Sequence, residues 1–190
     1  MLSLIPLALP THLLIIDVEA TCDDQGSVPP AEAEIIEFGC VMTAGFKPVS
    51  EFACFVRPVR HPRLYPFCTE LTSITQAQVD GARGFVEVMA ELKKWTYSFE
   101  DVGWGSWGDY DKNQVERECQ RAKIPNPMPH RHLNVKKEFT AALALKKKPG
   151  MAEALRIAGL TLEGTHHRGI DDARNIARLL PFALGGQKPK

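Results

Sequence analysis

Apolar residues change their spacing several times along the chain, and each spacing predicts an element. Residues 13–18 form a short aliphatic run closed by acids, the pattern of a buried strand. Residues 34–42 and 51–56 read as the second and third strands. Ala44, Gly45 and Pro48 between them predict a hairpin. Residues 22–33 and 57–66 carry the glycine and prolines of irregular surface chain, and residues 75–79 suggest a short helix. Phe85, Val88, Met89, Leu92 and Trp95 recur at helical spacing and predict a longer amphipathic helix. Residues 102–107 read as a glycine-rich fourth strand, 111–123 as a helix stopped before Pro125, and 132–135 as a fifth strand. Helices follow over 136–147 and 151–158 around Pro149-Gly150. Ala173, Ile176, Ala177 and Leu180 give a last helix its apolar face. The expected fold is a mixed five-stranded α/β sheet flanked by helices.

Composition narrows this picture. A chain of 190 residues, 44% apolar and 24% charged, suits one ordinary globular domain and argues against long disorder or a disulfide scaffold. We expect a single domain over 1–190, with its core at about 12–184. The first sixteen residues are apolar, but they lack a basic leading region and are interrupted by Pro6 and Pro10. They predict neither a secretory signal nor a membrane span. Five cysteines with no Cys-x-x-Cys pair predict reduced thiols and a cytoplasmic location.

The net charge of zero conceals an asymmetry. Residues 1–56 hold eight acids against Lys47 alone, a net −7, whereas residues 112–150 hold ten bases against three acids, a net +7. An acidic site and a basic surface on one molecule are implied.

Three segments could carry chemistry. Asp17 and Glu19 lie two apart at the end of the first strand, so both face one side. Adjacent carboxylates repel and resist desolvation, and a hard divalent cation offsets both effects. Asp109 and Asp111 flank Tyr110 where the fourth strand meets a helix, a place where an aspartate also serves as an N-cap. His166, His167, Asp171 and Asp172 lead into the last helix, where His167 and Asp172 have the spacing to reach one cleft.

The ordered set resembles the DnaQ-like 3′–5′ exonucleases with a histidine in the third motif, and within them the Eri-type and KapD-like exoribonuclease branch. The residues that carry the resemblance are Ile16-Asp17-Val18-Glu19-Ala20-Thr21-Cys22, Glu34-Ile35-Ile36-Glu37-Phe38 and Val56-Arg57-Pro58. Phe67-Cys68, Leu71-Thr72-Ser73-Ile74-Thr75-Gln76, Val79-Asp80 and Ala82 follow, and the run from Asp171 to Arg178 closes it. Ser73 stands where relatives commonly have glycine. The added nucleic-acid-binding domain of some relatives is not expected here, which leaves open whether their particular RNA substrates carry over.

The resemblance implies an RNase H-like fold and a metal-dependent 3′–5′ exonuclease acting on nucleic acid, RNA in preference to DNA, with no membrane partner. It implies two divalent ions, Mg²⁺ or Mn²⁺, about 3.5–4 Å apart. Asp17, Glu19, Asp111 and Asp172 would hold them. Asp111 is preferred to Asp109 because an aromatic precedes it, and Asp172 to Asp171 for its spacing from His167. His167 would take the proton of the attacking water, with His166 as its competitor. Ala20 and Thr21 would approach the terminal ribose, Phe67 and Leu71 would flank the terminal nucleotide, and Trp107 would stack on a base, although strand-end tryptophans such as Trp104 and Trp107 more often pack in the core. Lys136, Lys137 and residues 146–148 would follow the phosphates. His130 and His132 read as surface or structural residues. A DNA repair or proofreading exonuclease and a non-catalytic binding scaffold are the rival readings.

Overall fold

The computed structural model describes residues 9–129 and 131–189; His130 and the first eight residues, Pro6 among them, lie outside the described residues. The elements run β1 (His12–Ala20), β2 (Ile35–Ala44), β3 (Lys47–Arg57), α1 (Pro66–Thr72), α2 (Gln76–Asp80), β4 (Arg83–Gly84) and α3 (Phe85–Thr96). Then come β5 (Val102–Ser106), α4 (Tyr110–Ala122), β6 (His132–Asn134), α5 (Val135–Ala142), α6 (Met151–Ile157) and α7 (Gly169–Ala183). No helix among the described residues is long and apolar enough to cross a membrane.

Among the described residues the sheet has six strands, in the order β4-β3-β2-β1-β5-β6, rather than the expected five. The additional strand is β4, whose two residues are too short for an alternating pattern to reveal. β1 pairs antiparallel with β2 and parallel with β5. β2 and β3 form the expected hairpin, turning at Gly45 and Phe46 with φ of 53° and 66°. Two consecutive residues with positive φ match the twist of the strands they join. Pro48 is accommodated beside a register shift between Met42 and Thr43.

Strand parity divides the core. Leu13 and Ile15 of β1 join Val41 and the apolar faces of α5, α6 and α7 on one side of the sheet. Leu14, Ile16 and Val18 join Phe38, Cys40 and Met42 and pack against α3 and α4 on the other. Asp17 and Glu19 continue the odd positions, and so emerge on the α7 side.

α7 sits very close to the sheet. A Cβ on Gly39 of β2 would lie 1.9 Å from the Gly169 carbonyl carbon and 2.1 Å from the Ile170 nitrogen. A Cβ on Gly169 would in turn lie 2.9 Å from the Asp17 carbonyl oxygen. Bare backbone at both positions brings the first turn of α7 onto β1 and β2.

α1 was not expected, being seven residues long and opened by Pro66 at a position that suits proline. Ser73 ends it with φ of 60°, the left-handed conformation that glycine adopts without strain. α5 is shorter than the expected 136–147. Ala144 turns left-handed with φ of 51°, and the Leu145 amide closes on the Thr140 carbonyl. The following lysines therefore lie outside the helix.

The proline-rich segment between β3 and α1 is firmly held. The buried Glu34 carboxylate accepts the backbone N–H groups of Val59, Arg60 and His61 at 3.0, 2.8 and 2.8 Å. Gln76 accepts the Leu64 amide and donates to the Pro62 carbonyl, both at 2.8 Å.

The Gly39 contact gives a direct test. Gly39→Ala forces backbone apart rather than a side chain aside, and overpacking costs about 1–3 kcal/mol or more. We expect a loss at the upper end of that range in urea melts; a near-neutral change would show that α7 does not depend on this approach.

Candidate active site

β5 pairs with β1 only from His12 to Ile15, so beyond Ile15 the β5-facing edge of β1 is left open. The first turn of α4 fills the gap, and Asp111 Oδ1 accepts the Val18 amide at 3.0 Å. From the other direction, the start of α7 brings Asp172 over the same strand end. A cleft of about 320 Å³ results, lined among others by Asp17, Glu19, Asp111, Asp172, His166 and His167. One oxygen each from Asp17, Glu19 and Asp172 lies within 4.8 Å of the others. Asp111 stands on the wall beside them, with Asp109 exposed and bonded to Asn134.

The electrostatics follow from this crowding. Burial, then the charges of Asp111, Glu19, Asp172 and Glu37, hold Asp17 well above the usual carboxylate range. Burial and the neighbouring acids push Glu19 up to about 8. Burial raises Asp111 to about 6 against the opposing Val18 hydrogen bond. Asp172 is also raised by burial, against hydrogen bonds from the His167 amide at 3.0 Å and His166 Nδ1 at 2.8 Å. Burial and then the neighbouring His166 lower His167. The neutral imidazole, the form that accepts a proton, is thereby favoured. Four oxygen donors that repel one another fit a hard divalent cation such as Mg²⁺ or Mn²⁺.

Several groups that set this geometry were not singled out for it in the sequence. Glu37, buried on β2, accepts two hydrogen bonds from Arg168 at 2.9 and 3.1 Å and a third from the Gly169 amide at 3.0 Å. It pins the loop carrying both histidines to the sheet. A glutamate two positions from Gly39 on one strand face was the available signal. Cys22, Tyr110 and Met151 also line the cleft.

The residues expected to touch substrate divide. Ala20, Leu71 and Trp107 line the cleft. Trp107 is braced by a 3.3 Å hydrogen bond to the Pro149 carbonyl. Thr21 does not line it, because its hydroxyl accepts the Glu34 amide at 2.9 Å and the residue is buried. Phe67, one helical turn before Leu71, lies over an adjoining depression with Asp23, Asp24 and Tyr65. Trp104 is core, packed edge-on against His132 at 4.6 Å. His132 bonds to Ser106 Oγ at 2.9 Å inside the fold. Residues 146–148 are exposed between α5 and α6.

Comparison with known proteins places these features in context. The RNase_T exonuclease family model matches residues 14–180. ERI1 exoribonuclease 3 of Homo sapiens is 33% identical over 180 residues, covering 89% of this chain and 52% of the relative. ERI1 exoribonuclease 2 of Mus musculus is 32% identical over 194 residues, covering 88% of this chain and 28% of the relative. The chain thus spans about half or less of the length of these curated relatives. The solved nuclease domain of 3′hExo, a DEDDh family member bound to rAMP, superposes with a TM-score of 0.79. It is 28% identical, and the match covers 90% of each chain.

The buried acids predict a pH-dependent stability. Glu19 near 8, and Glu118 near 7 beneath β2, keep protons in the folded chain that ordinary carboxylates lose on unfolding. Their contribution is full below about pH 4 and is lost as pH rises through their folded values. The lowered His167 acts in the opposite sense, but only below the ordinary imidazole value near 6.5. Ion-free protein should therefore melt at progressively lower temperature from about pH 6.5 to 8.5. Mg²⁺ at a hundredfold excess over its dissociation constant should restore about 2.7 kcal/mol. That is roughly 5–10 °C for a chain of this size, read by calorimetry. A flat profile with no Mg²⁺ response would contradict the carboxylate cage.

Proposed function

Because this chain belongs to the RNase_T exonuclease family, we propose that it is a metal-dependent 3′–5′ exoribonuclease releasing nucleoside 5′-monophosphates. The observation that carries the reading is the convergence of Asp17, Glu19, Asp111, Asp172 and His167 on one cleft. The curated relatives are named exoribonucleases, which supports RNA over DNA. Asp17, Glu19, Asp111 and Asp172 would hold two divalent ions, Mg²⁺ or Mn²⁺. These supply the positive charge that favours a nucleophilic water and a departing oxygen.

The chain's own residues supply the rest. His167, kept neutral by its surroundings, takes the proton of the attacking water. Asp172 accepts the His167 amide and so fixes the loop that carries the base. Glu37 and Arg168 hold that loop against β2 as positioning residues. Ala20, Leu71 and Trp107 form walls for the terminal nucleotide, Trp107 presenting an indole to its base. The five cysteines are free thiols, which supports action in a reducing compartment such as the cytoplasm.

The deciding experiment is a time course on 3′-labelled and 5′-labelled RNA and DNA oligomers with Mg²⁺. Immediate release of mononucleotide from the 3′ label, faster for RNA, is expected. Release of internal fragments would overturn exonuclease action, and a faster DNA reaction would reassign the substrate. Asp17→Asn should abolish hydrolysis yet raise the melting temperature of the ion-free protein, because it removes one of the repelling charges. Activity retained in that variant would sink the cage. His167→Ala should lower kcat by roughly 10²–10⁴-fold, the usual contribution of a general base. A wild-type rate would take the role from His167.

A further inference from the structure

The hydrolytic arrangement gives His166 no task, yet its side chain is built into the cleft. Its Nδ1 lies 2.8 and 3.1 Å from the two oxygens of Asp172. Its ring stacks on that of His167 with centroids 4.0 Å apart and planes 16° apart. Consecutive side chains normally diverge. Here His167 has φ of 63°, a left-handed conformation that costs a non-glycine residue roughly 1–2 kcal/mol. That strained backbone accompanies the alignment of both imidazoles beside one carboxylate.

One nitrogen from each histidine and one oxygen of Asp172 lie within 4.8 Å of one another. Two imidazoles and a carboxylate are the donors of three-ligand zinc sites, which leave a fourth position open. Donors bound to one tetrahedral zinc at about 2.0–2.2 Å stand ~3.3 Å apart. The His166–Asp172 contacts are already near that spacing, whereas the stacked rings must turn apart for both in-plane lone pairs to meet one ion. Mg²⁺ favours oxygen donors, whereas imidazole suits Zn²⁺, Cu²⁺ and their neighbours.

The geometry points to a transition-metal site, His166–His167–Asp172, that takes Zn²⁺ and thereby switches the enzyme off. Zinc there occupies the His167 lone pair needed for the water's proton and an oxygen of Asp172 needed by the hydrolytic ions. The loss of activity rests on the exonuclease reading; the binding of the ion does not.

Co²⁺ is the probe, because a four-coordinate Co²⁺ ion absorbs visible light far more strongly than a six-coordinate one. The full chain should bind Co²⁺ with such a band, Zn²⁺ should displace it, and excess Mg²⁺ should not. His166→Ala should weaken Co²⁺ binding by roughly 10-fold or more, with its circular dichroism unchanged. His166→Asn, which keeps a polar side chain, should behave alike. Glu19→Gln should retain the band. A band that survives both His166 variants, disappears in Glu19→Gln as readily, or yields to Mg²⁺ overturns the site, as does the lack of any band.

In RNA hydrolysis under Mg²⁺, each variant is compared with its own zinc-free rate. The Zn²⁺ concentration for half-inhibition should rise in His166→Ala by the factor seen for Co²⁺ binding. Equal half-inhibition in both proteins overturns the switch. A chain that binds Co²⁺ through His166 but hydrolyses nothing with Mg²⁺ keeps the site and loses the exonuclease reading.

Discussion

The cleft is assembled by a contact that involves no side chain. α7 reaches the sheet where Gly39 and Gly169 leave backbone against backbone, and a methyl group on Gly39 would overlap the opposite chain. That approach delivers Asp172 to the end of β1, where strand parity has already placed Asp17 and Glu19 on the same side. Glu37 then locks the start of α7 through Arg168 and the Gly169 amide. A slightly larger separation would leave three acids on a strand and a helix with no shared centre.

Close assembly sets up an electrostatic conflict within the cleft. Burial first, and then neighbouring carboxylates, raise the proton affinity of Asp17, Glu19 and Asp111, and burial raises that of Asp172. The Val18 and His167 amides ease part of that conflict. The remainder favours a cation. Function and instability thus share one origin, a common feature of sites held together by the surrounding fold.

Much of this was legible along the chain. Asp17 and Glu19 could be read from their spacing after an aliphatic run, and α3 and α7 from helical periodicity. Those signals are local. The grip of Glu37 on Arg168 joins positions 131 residues apart, and no spacing rule reaches that far. Thr21 stands off the cleft because the backbone amide of Glu34 claims its hydroxyl, a pairing across thirteen residues that the local pattern does not announce. Phe67 was displaced by a helix, α1, too short for periodicity to reveal. The sixth strand escaped for the same reason of length. His166 was weighed as a rival base. Its contacts with Asp172 and His167 accompany a left-handed backbone residue, which sequence does not announce.

The proline-rich segment before α1 has a consequence for molecular recognition. Its composition suggests a surface chain free to wander, yet Glu34 and Gln76 hold its amides and one of its carbonyls. It leads directly into the helix that places Leu71 on the cleft wall. Ordering a backbone residue costs about 1–2 kcal/mol. Here that entropy is surrendered during folding, before any ligand arrives. A guest entering the cleft meets a wall already in place, and less of its contact energy is consumed in shaping its host.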